Sequence, residues 1–112
     1  MPLFMSTFSY KPEVWAGLVR NPENREQVVG RILADAGCEL RGLWYALGAR
    51  DGFALIEAPD TRVAAGVAIA IGSSGAFDAF ETTQLLTQAE TLEALEFAGG
   101  VRYAAPAEAA TV

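Results

Sequence analysis

The sequence predicts an α+β protein of the ferredoxin-like type, in which four strands form one antiparallel sheet and the helices cover one of its faces. Three observations support this fold class. Alternating apolar residues mark four strands, apolar residues three or four apart mark helices between them, and the order is βαββαβ with one further C-terminal helix. No repeat of solenoid length is present, so we expect one domain over residues 1–100 and a loose tail over 101–112.

The first third of the chain supplies one strand and two helices. Residues 3–10 alternate as a strand, and a proline, which suits a first helical turn, opens a helix over residues 12–20. We expect a second helix that Asn21 caps and Pro22 begins, with one apolar face. Gly37 should end this helix, because glycine readily adopts the left-handed conformation that follows helices.

A β-hairpin follows these helices. Residues 39–48 and 52–58 are two apolar strands that fold back on each other through a turn bracketed by Gly48 and Asp51. In such turns glycine supplies an unusual φ angle, and aspartate accepts hydrogen bonds from neighbouring backbone amides. We therefore interpret Gly48 and Asp51 first as turn residues.

The last third of the chain adds a helix, a strand and a helix. Asp60 should cap a helix over residues 61–72, whose small side chains predict close packing on the sheet. Residues 76–86 alternate as the fourth strand. Thr87 and Glu90 have the spacing of a capping box, so the final helix should begin there and end at the next pair of glycines.

The composition limits the classes of function. The 112 residues carry a formal net charge of −6, and the eight basic residues are scattered, so nucleic acid and anionic membranes are poor partners. The chain contains no histidine, which excludes Ser-His-Asp and Cys-His catalytic sets and a histidine-ligated haem or zinc site. We therefore expect neither a metal nor a cofactor.

The expected location is the cytoplasm. The N-terminal segment lacks the positive residues and cleavage site of a signal peptide. The longest uncharged run, residues 63–77, is shorter than the roughly 20 residues that span a bilayer. Cys38 is the single cysteine, which excludes an internal disulfide and suits a reducing compartment, and we expect it to be a buried thiol.

Both faces of the predicted sheet carry apolar side chains. Phe53 and Leu55 point one way and Ala54 and Ile56 the other, because successive residues of a strand alternate. A monomer would expose a large apolar patch on the face without helices. We therefore predict a homodimer, or a larger assembly of dimers, packed sheet to sheet.

Four motifs that occur in order resemble the GYD-domain family. They are ALGARD at residues 46–51, EAPD at 57–60, IGSSG at 71–75 and ET at 81–82. Arg50 stands where the tyrosine that names the family would be. The resemblance implies a dimeric α+β barrel, a group that includes cofactor-free monooxygenases, haem-handling enzymes, isomerases and proteins of unassigned function. It implies a fold and no single reaction.

Four residues around the hairpin are candidates for ligand contact. Trp44 and Tyr45 are neighbours in a strand, so one should enter the helix-side core and the other the opposite face. The Arg50 guanidinium either grips a carboxylate at a cavity rim or is solvated. Asp51 either faces a ligand or only stabilises the turn.

Two carboxylates complete the set of candidate ligand-binding residues. Glu57 and Glu81 lie in otherwise apolar strands, where burial would raise their pKa values towards a range useful for catalysis. If they instead face solvent or pair with Arg41, they only keep the sheet soluble.

Three functions remain open, and the least specific of them is a fold that serves only as a dimerising scaffold. An apolar, aromatic sheet without a catalytic set favours a homo-oligomeric protein that binds a small apolar or aromatic molecule in a cavity between sheet and helices. The alternative is a cofactor-free monooxygenase or isomerase acting on a small aromatic or cyclic substrate. There Trp44 or Tyr45 would stack on the ring and Arg50 would hold an anionic group. Glu57 or Glu81 would move the proton.

Overall fold

The computed structural model describes residues 1–107, which form a four-stranded sheet and four helices. In chain order the elements are β1 Leu3–Tyr10, α1 Pro12–Arg20, α2 Arg25–Asp35, β2 Glu39–Tyr45, β3 Gly52–Glu57, α3 Thr61–Gly72, β4 Phe77–Leu85 and α4 Gln88–Ala98. The strands lie in the order β2-β3-β1-β4, and every neighbouring pair is antiparallel. This is the ferredoxin-like arrangement that the sequence predicts.

The two central strands divide their side chains between the faces of the sheet. Phe4 lies opposite Ile56 and Ser6 opposite Ala54, and all four are buried. They share a core with Leu33 of α2 and with residues of α3, so α2 and α3 cover the same face. We call this the inner face. The alternate residues of β1 and β3 form the outer face, which no helix of residues 1–107 covers.

Cys38 lies in the core, as the sequence predicts. Burial raises the pKa of its thiol, and the nearby negative charge of Asp60 adds to the rise.

We expect Cys38 to react with a chromogenic disulfide reagent at neutral pH roughly ten times or more slowly in the folded protein than in urea, because both thiolate formation and access are reduced. Equal rates in the two states would contradict its placement in the core.

The start of α2 differs from the prediction. The Asn21 backbone amide donates to the Gly17 carbonyl at 3.0 Å, so this residue closes α1 and does not cap α2. Asn24 is the cap, and its side chain accepts from the Gln27 amide at 3.2 Å. The prediction that Asn21 caps the helix and Pro22 begins it is therefore wrong. Either asparagine suits a cap, and the path between the two helices decides which one is used.

The hairpin is also wider than predicted. The Ala46 amide donates to the Asp51 carbonyl at 2.8 Å, and β2 ends at Tyr45, three residues before the predicted bound. Gly48 does not have a positive φ angle, so the expected unusual conformation there is wrong. Gly37, at φ 81°, has the left-handed conformation predicted for the residue that ends a helix.

The predicted caps of the last two helices are confirmed. The Asp60 carboxylate accepts from the Val63 amide at 2.8 Å. In the capping box, Thr87 Oγ1 accepts from the Glu90 amide at 3.1 Å, and the Glu90 carboxylate accepts from the Thr87 amide at 2.9 Å. Residues 101–106 form no regular secondary structure, and residues 108–112 of the predicted loose tail lie outside the described part of the chain.

Helix α4 projects away from the rest of the molecule. None of its residues is buried. The chain measures 61 × 32 × 22 Å with a radius of gyration of 18.5 Å, against about 13 Å for a compact chain of this length. No strand or other helix of residues 1–107 packs extensively against α4, so it does not fold back onto the sheet. Within the described residues, no helix has the length and apolar character needed to cross a bilayer.

Candidate functional site

A cavity of about 530 Å³ lies between the inner face of the sheet and the helices. Its floor is formed around Ala54 and Ile56, and its walls come from Leu18 of α1, Val29 of α2 and Ile71 of α3. The space remains because the middle of the floor carries a small side chain and because α1 and α2 stand apart from α3. This volume is within the range of small-molecule sites.

One end of the cavity is aromatic. The rings of Tyr10 and Phe77 stack with centroids 5.4 Å apart, and the rings of Phe8 and Trp15 lie 5.2 Å and 5.1 Å from Tyr10. Gly52 is required beside them, since a Cβ at this position would stand 2.3 Å from the Phe8 ring. The cluster offers ring edges and faces against which a second aromatic molecule packs favourably.

Hydrogen-bonding groups stand at the same end. The hydroxyls of Tyr10 and Tyr45 are 3.2 Å apart, so one of their two hydrogens joins the pair and the other is left to donate. Burial raises the pKa of Tyr45, and the bond to Tyr10 adds to the rise. Tyr45 therefore stays protonated at neutral pH. Arg25 lies at the cavity rim, where Glu23 pairs with it and raises its pKa.

Asp51 links three elements at this end of the cavity. Its carboxylate accepts from the Tyr10 amide at 2.9 Å and from the Trp15 indole at 3.0 Å, while its own amide donates to the Phe8 carbonyl at 2.8 Å. The sequence predicts bonds to neighbouring amides of the turn, but these partners are more than thirty residues away. Asp51 thus positions the aromatic cluster.

Three of the candidate residues lie on the outer face. Trp44 is opposite Phe53, and its exposed ring covers Gly42. Glu57 stands 3.9 Å from the Arg41 guanidinium, which is the paired arrangement that the sequence leaves as its alternative. Glu81 lies opposite Thr7 on the same face and is exposed. None of the three reaches the cavity.

The six candidate residues therefore do not form one site. Tyr45 and Asp51 both contact the aromatic cluster, through Tyr10 and Trp15, but neither lines the cavity itself. Trp44, Glu57 and Glu81 lie on the opposite face of the sheet, and Arg50 is exposed in the hairpin loop. Among residues 1–107 no cluster of three acidic or cysteine side chains is placed to hold a metal ion.

The sequence reasoning missed several residues of the cavity. Phe8 and Tyr10 have the same parity in β1 as Phe4, so the alternation alone places all three on one face. Arg25 carries no such signal, because its approach to the tyrosines depends on how α2 lies across the sheet.

Comparison with known proteins gives one family and one similar structure. The model of the GYD domain family matches residues 4–95. The crystal structure of MtbAldR (Rv2779c) has a TM-score of 0.59 and 18% sequence identity, and the match covers 94% of this chain and 58% of that chain. At this identity the likeness shows the fold alone, and the chain spans less than two thirds of that structure. No curated protein is significantly similar to the chain.

Proposed function

The chain belongs to the GYD-domain family, and from this premise we propose that it is a homo-oligomeric protein that binds a small aromatic or apolar molecule between its sheet and its helices. The observation that carries the proposal is the cavity of about 530 Å³ with an aromatic end and a few hydrogen-bond donors. Apolar walls with a small number of polar groups are typical of ligand sites. A reducing, cytoplasmic location fits the single buried thiol.

The polar groups favour a ligand with one neutral hydrogen-bond acceptor. The Tyr10–Tyr45 pair has a hydroxyl hydrogen to donate, and a carbonyl or ether oxygen accepts it. Glu23 already balances the charge of Arg25, so a second carboxylate would meet repulsion there. A compact aromatic ketone, aldehyde or ester has both features. Its aromatic ring packs against the aromatic cluster, and its carbonyl oxygen accepts a hydrogen bond from the tyrosine hydroxyls.

The carboxylates that would serve as acid and base in the enzymatic alternative are not available in this cavity. Glu57 and Glu81 project from the outer face, and the Asp51 carboxylate is occupied by Tyr10 and Trp15. The remaining polar groups bind and orient a molecule more readily than they move a proton at neutral pH. Binding without turnover is therefore the function that we propose.

Self-association is the second part of the proposal. The outer face carries Met5, Phe53 and Leu55 on the two central strands, with Trp44 at one side and Leu85 at the other. Glu81 lies on the flanking strand β4, and Glu57 lies at the end of the central strand β3 beside Arg41 of β2, so these charges surround an apolar centre as the polar rim of an interface does. A second copy packed sheet to sheet would remove this surface from water.

A thermal-shift series with small aromatic carbonyl compounds tests the cavity. We expect the best ligand to raise the melting temperature by mass action, and Ala54→Ile, which fills the floor, to remove that shift. Tyr10→Phe should weaken binding about tenfold, since it removes the cavity-lining hydroxyl, a donor worth about 1 to 1.5 kcal/mol.

The control for this series is Thr83→Ile, which adds a similar side chain on the outer face of β4 and should leave the ligand shift unchanged. An unaltered shift in Ala54→Ile would place the ligand elsewhere. The absence of any shift across the series would overturn the binding proposal.

A further inference from the structure

Helix α3 is apolar on almost every side. Arg62 is its single charged residue, and most of its other side chains are alanine, valine or isoleucine. A helix of this composition is ordinarily covered all round. Yet only Ala64 is fully buried, while Ala65 is exposed and Ile69 is 69% exposed. Within the described part of the chain, the side of α3 that faces away from α2 therefore has no packing partner.

A groove of about 780 Å³ runs along this uncovered side of α3. One wall is formed by Ala65, Ala68 and Ile69 of α3, and the floor by Phe80 and Thr82 of β4. The groove is concave and largely apolar, and the alanines of its wall leave room for the backbone of another helix. Helix α3 divides it from the candidate ligand cavity, and the rings of Phe77 and Phe80 line both.

Helix α4 has a matching apolar side with nothing to pack against. Leu92 and Leu95 are three residues apart, so they lie on one side of the helix, and they are 54% and 62% exposed. Glu90 and Glu93 lie on a different side. Among residues 1–107, α4 has no surface that covers the two leucines. Residues 1–107 thus leave the leucines of α4 uncovered and the groove beside α3 unfilled.

We propose that α4 is an exchanged arm, whose Leu92 and Leu95 pack into the groove between α3 and β4 of a second copy of this chain. The connection from β4 to α4 is only residues 86–87, and the capping box of Thr87 and Glu90 holds the direction in which α4 leaves the strand. That direction takes α4 away from its own groove. Because each chain carries both an arm and a groove, the exchange is reciprocal and closes as a dimer.

The charges at the ends of the groove set the direction of the arm. Asp78 lies at the end where α3 finishes, and Arg62 flanks the end where α3 begins. The N-terminus of a helix carries partial positive charge, so the start of α4 lies near Asp78. Glu96 then approaches Arg62, which forms no ion pair within the described chain. This arrangement is antiparallel to α3 and places Leu95 beside Ala65.

The reciprocal exchange also reaches the size of a stable interface. With two arms and two grooves in each dimer, burial of a few hundred Å² at each surface amounts to roughly 1,200 Å² in total, the lower end of specific interfaces. The exchange requires neither a ligand in the cavity nor contact between outer faces. The exchange can therefore be tested independently of ligand binding and of sheet-to-sheet pairing.

Cross-linking between two single-cysteine proteins tests the exchange. In a Cys38→Ala background, one protein carries Leu95→Cys and a second, enlarged by a tag, carries Ala65→Cys. Both positions are exposed, so both variants should fold. After mixing, we expect a short bismaleimide to join the two proteins into a covalent heterodimer.

The control replaces Leu95→Cys with Glu93→Cys, which lies on a different side of α4 and should give little heterodimer. Adding Leu92→Glu to the Leu95→Cys protein should abolish the cross-link, because it puts a charge into the apolar contact. Equal yields from positions 93 and 95 would indicate random collision and overturn the proposal. A third protein that carries both Leu95→Cys and Ala65→Cys gives a further check: if it is cross-linked only within single chains, α4 occupies its own groove and the proposal is overturned.

Discussion

Leu33→Ala is expected to lower the free energy of unfolding by about 3 kcal/mol, a large share of the roughly 5–15 kcal/mol by which single domains are stable. Leu33 is the largest fully buried side chain, at 0% exposure, and it joins α2 to the strands of the inner face. Truncation removes three carbons from a site where the backbone of α2 cannot follow, so a void remains. Urea denaturation followed by circular dichroism measures the change.

Ile32→Ala is the matched control for this experiment. It removes the same number of carbons from the preceding residue of α2, but Ile32 is 51% exposed. We expect it to cost less than about 1 kcal/mol, since most of the removed surface is already in water. If the two substitutions cost the same, α2 would be rotated about its axis relative to the arrangement described above.

Phe53→Lys is expected to convert the proposed sheet-to-sheet dimer into a form that no longer pairs through this face. Phe53 lies on the outer face of a central strand, opposite Thr7 on one side and Trp44 on the other. A lysine at this point would bury an unpaired charge in the middle of the contact, at a cost of several kcal/mol. Light scattering at low micromolar concentration measures the mass, in a background where Leu92→Glu and Leu95→Glu disable the proposed arm exchange.

Ala34→Lys serves as the control for Phe53→Lys. It adds the same charge on an exposed position of α2, away from both the outer face and α4, and it should leave the mass unchanged. A monomer mass for the arm-disabled protein before Phe53 is changed would show that the outer face does not pair. If circular dichroism shows that Phe53→Lys is unfolded, the mass is measured instead on the milder variant Leu55→Gln, at the neighbouring outer-face position.

The helix ends show how far local chemistry predicts this fold. The caps at Asp60 and Thr87 follow from the sequence, because the donor and acceptor lie within three residues of each other. The start of α2 does not, because Asn21 and Asn24 are both good caps. The choice between them depends on where α2 meets the sheet, which involves residues far away in the chain.

The candidate site was less predictable than the fold. Alternation requires that Trp44 and Tyr45 face opposite ways, but it does not say which one enters the core. The register of β2 shifts between Leu40 and Gly42, and this bulge reverses the parity of the residues that follow. Tyr45 is thereby turned to the inner face and Trp44 to the outer face.

The sequence by itself determined the order of the elements, the two helix caps and the apolar character of both sheet faces, because each depends on residues close together in the chain. Only the tertiary structure decided which residues line the cavity. Tyr10 and Arg25 line it together across fourteen intervening residues, and Asp51 reaches Tyr10 across forty. Such contacts depend on register and on helix placement, which are global properties of the fold that no short window of sequence contains.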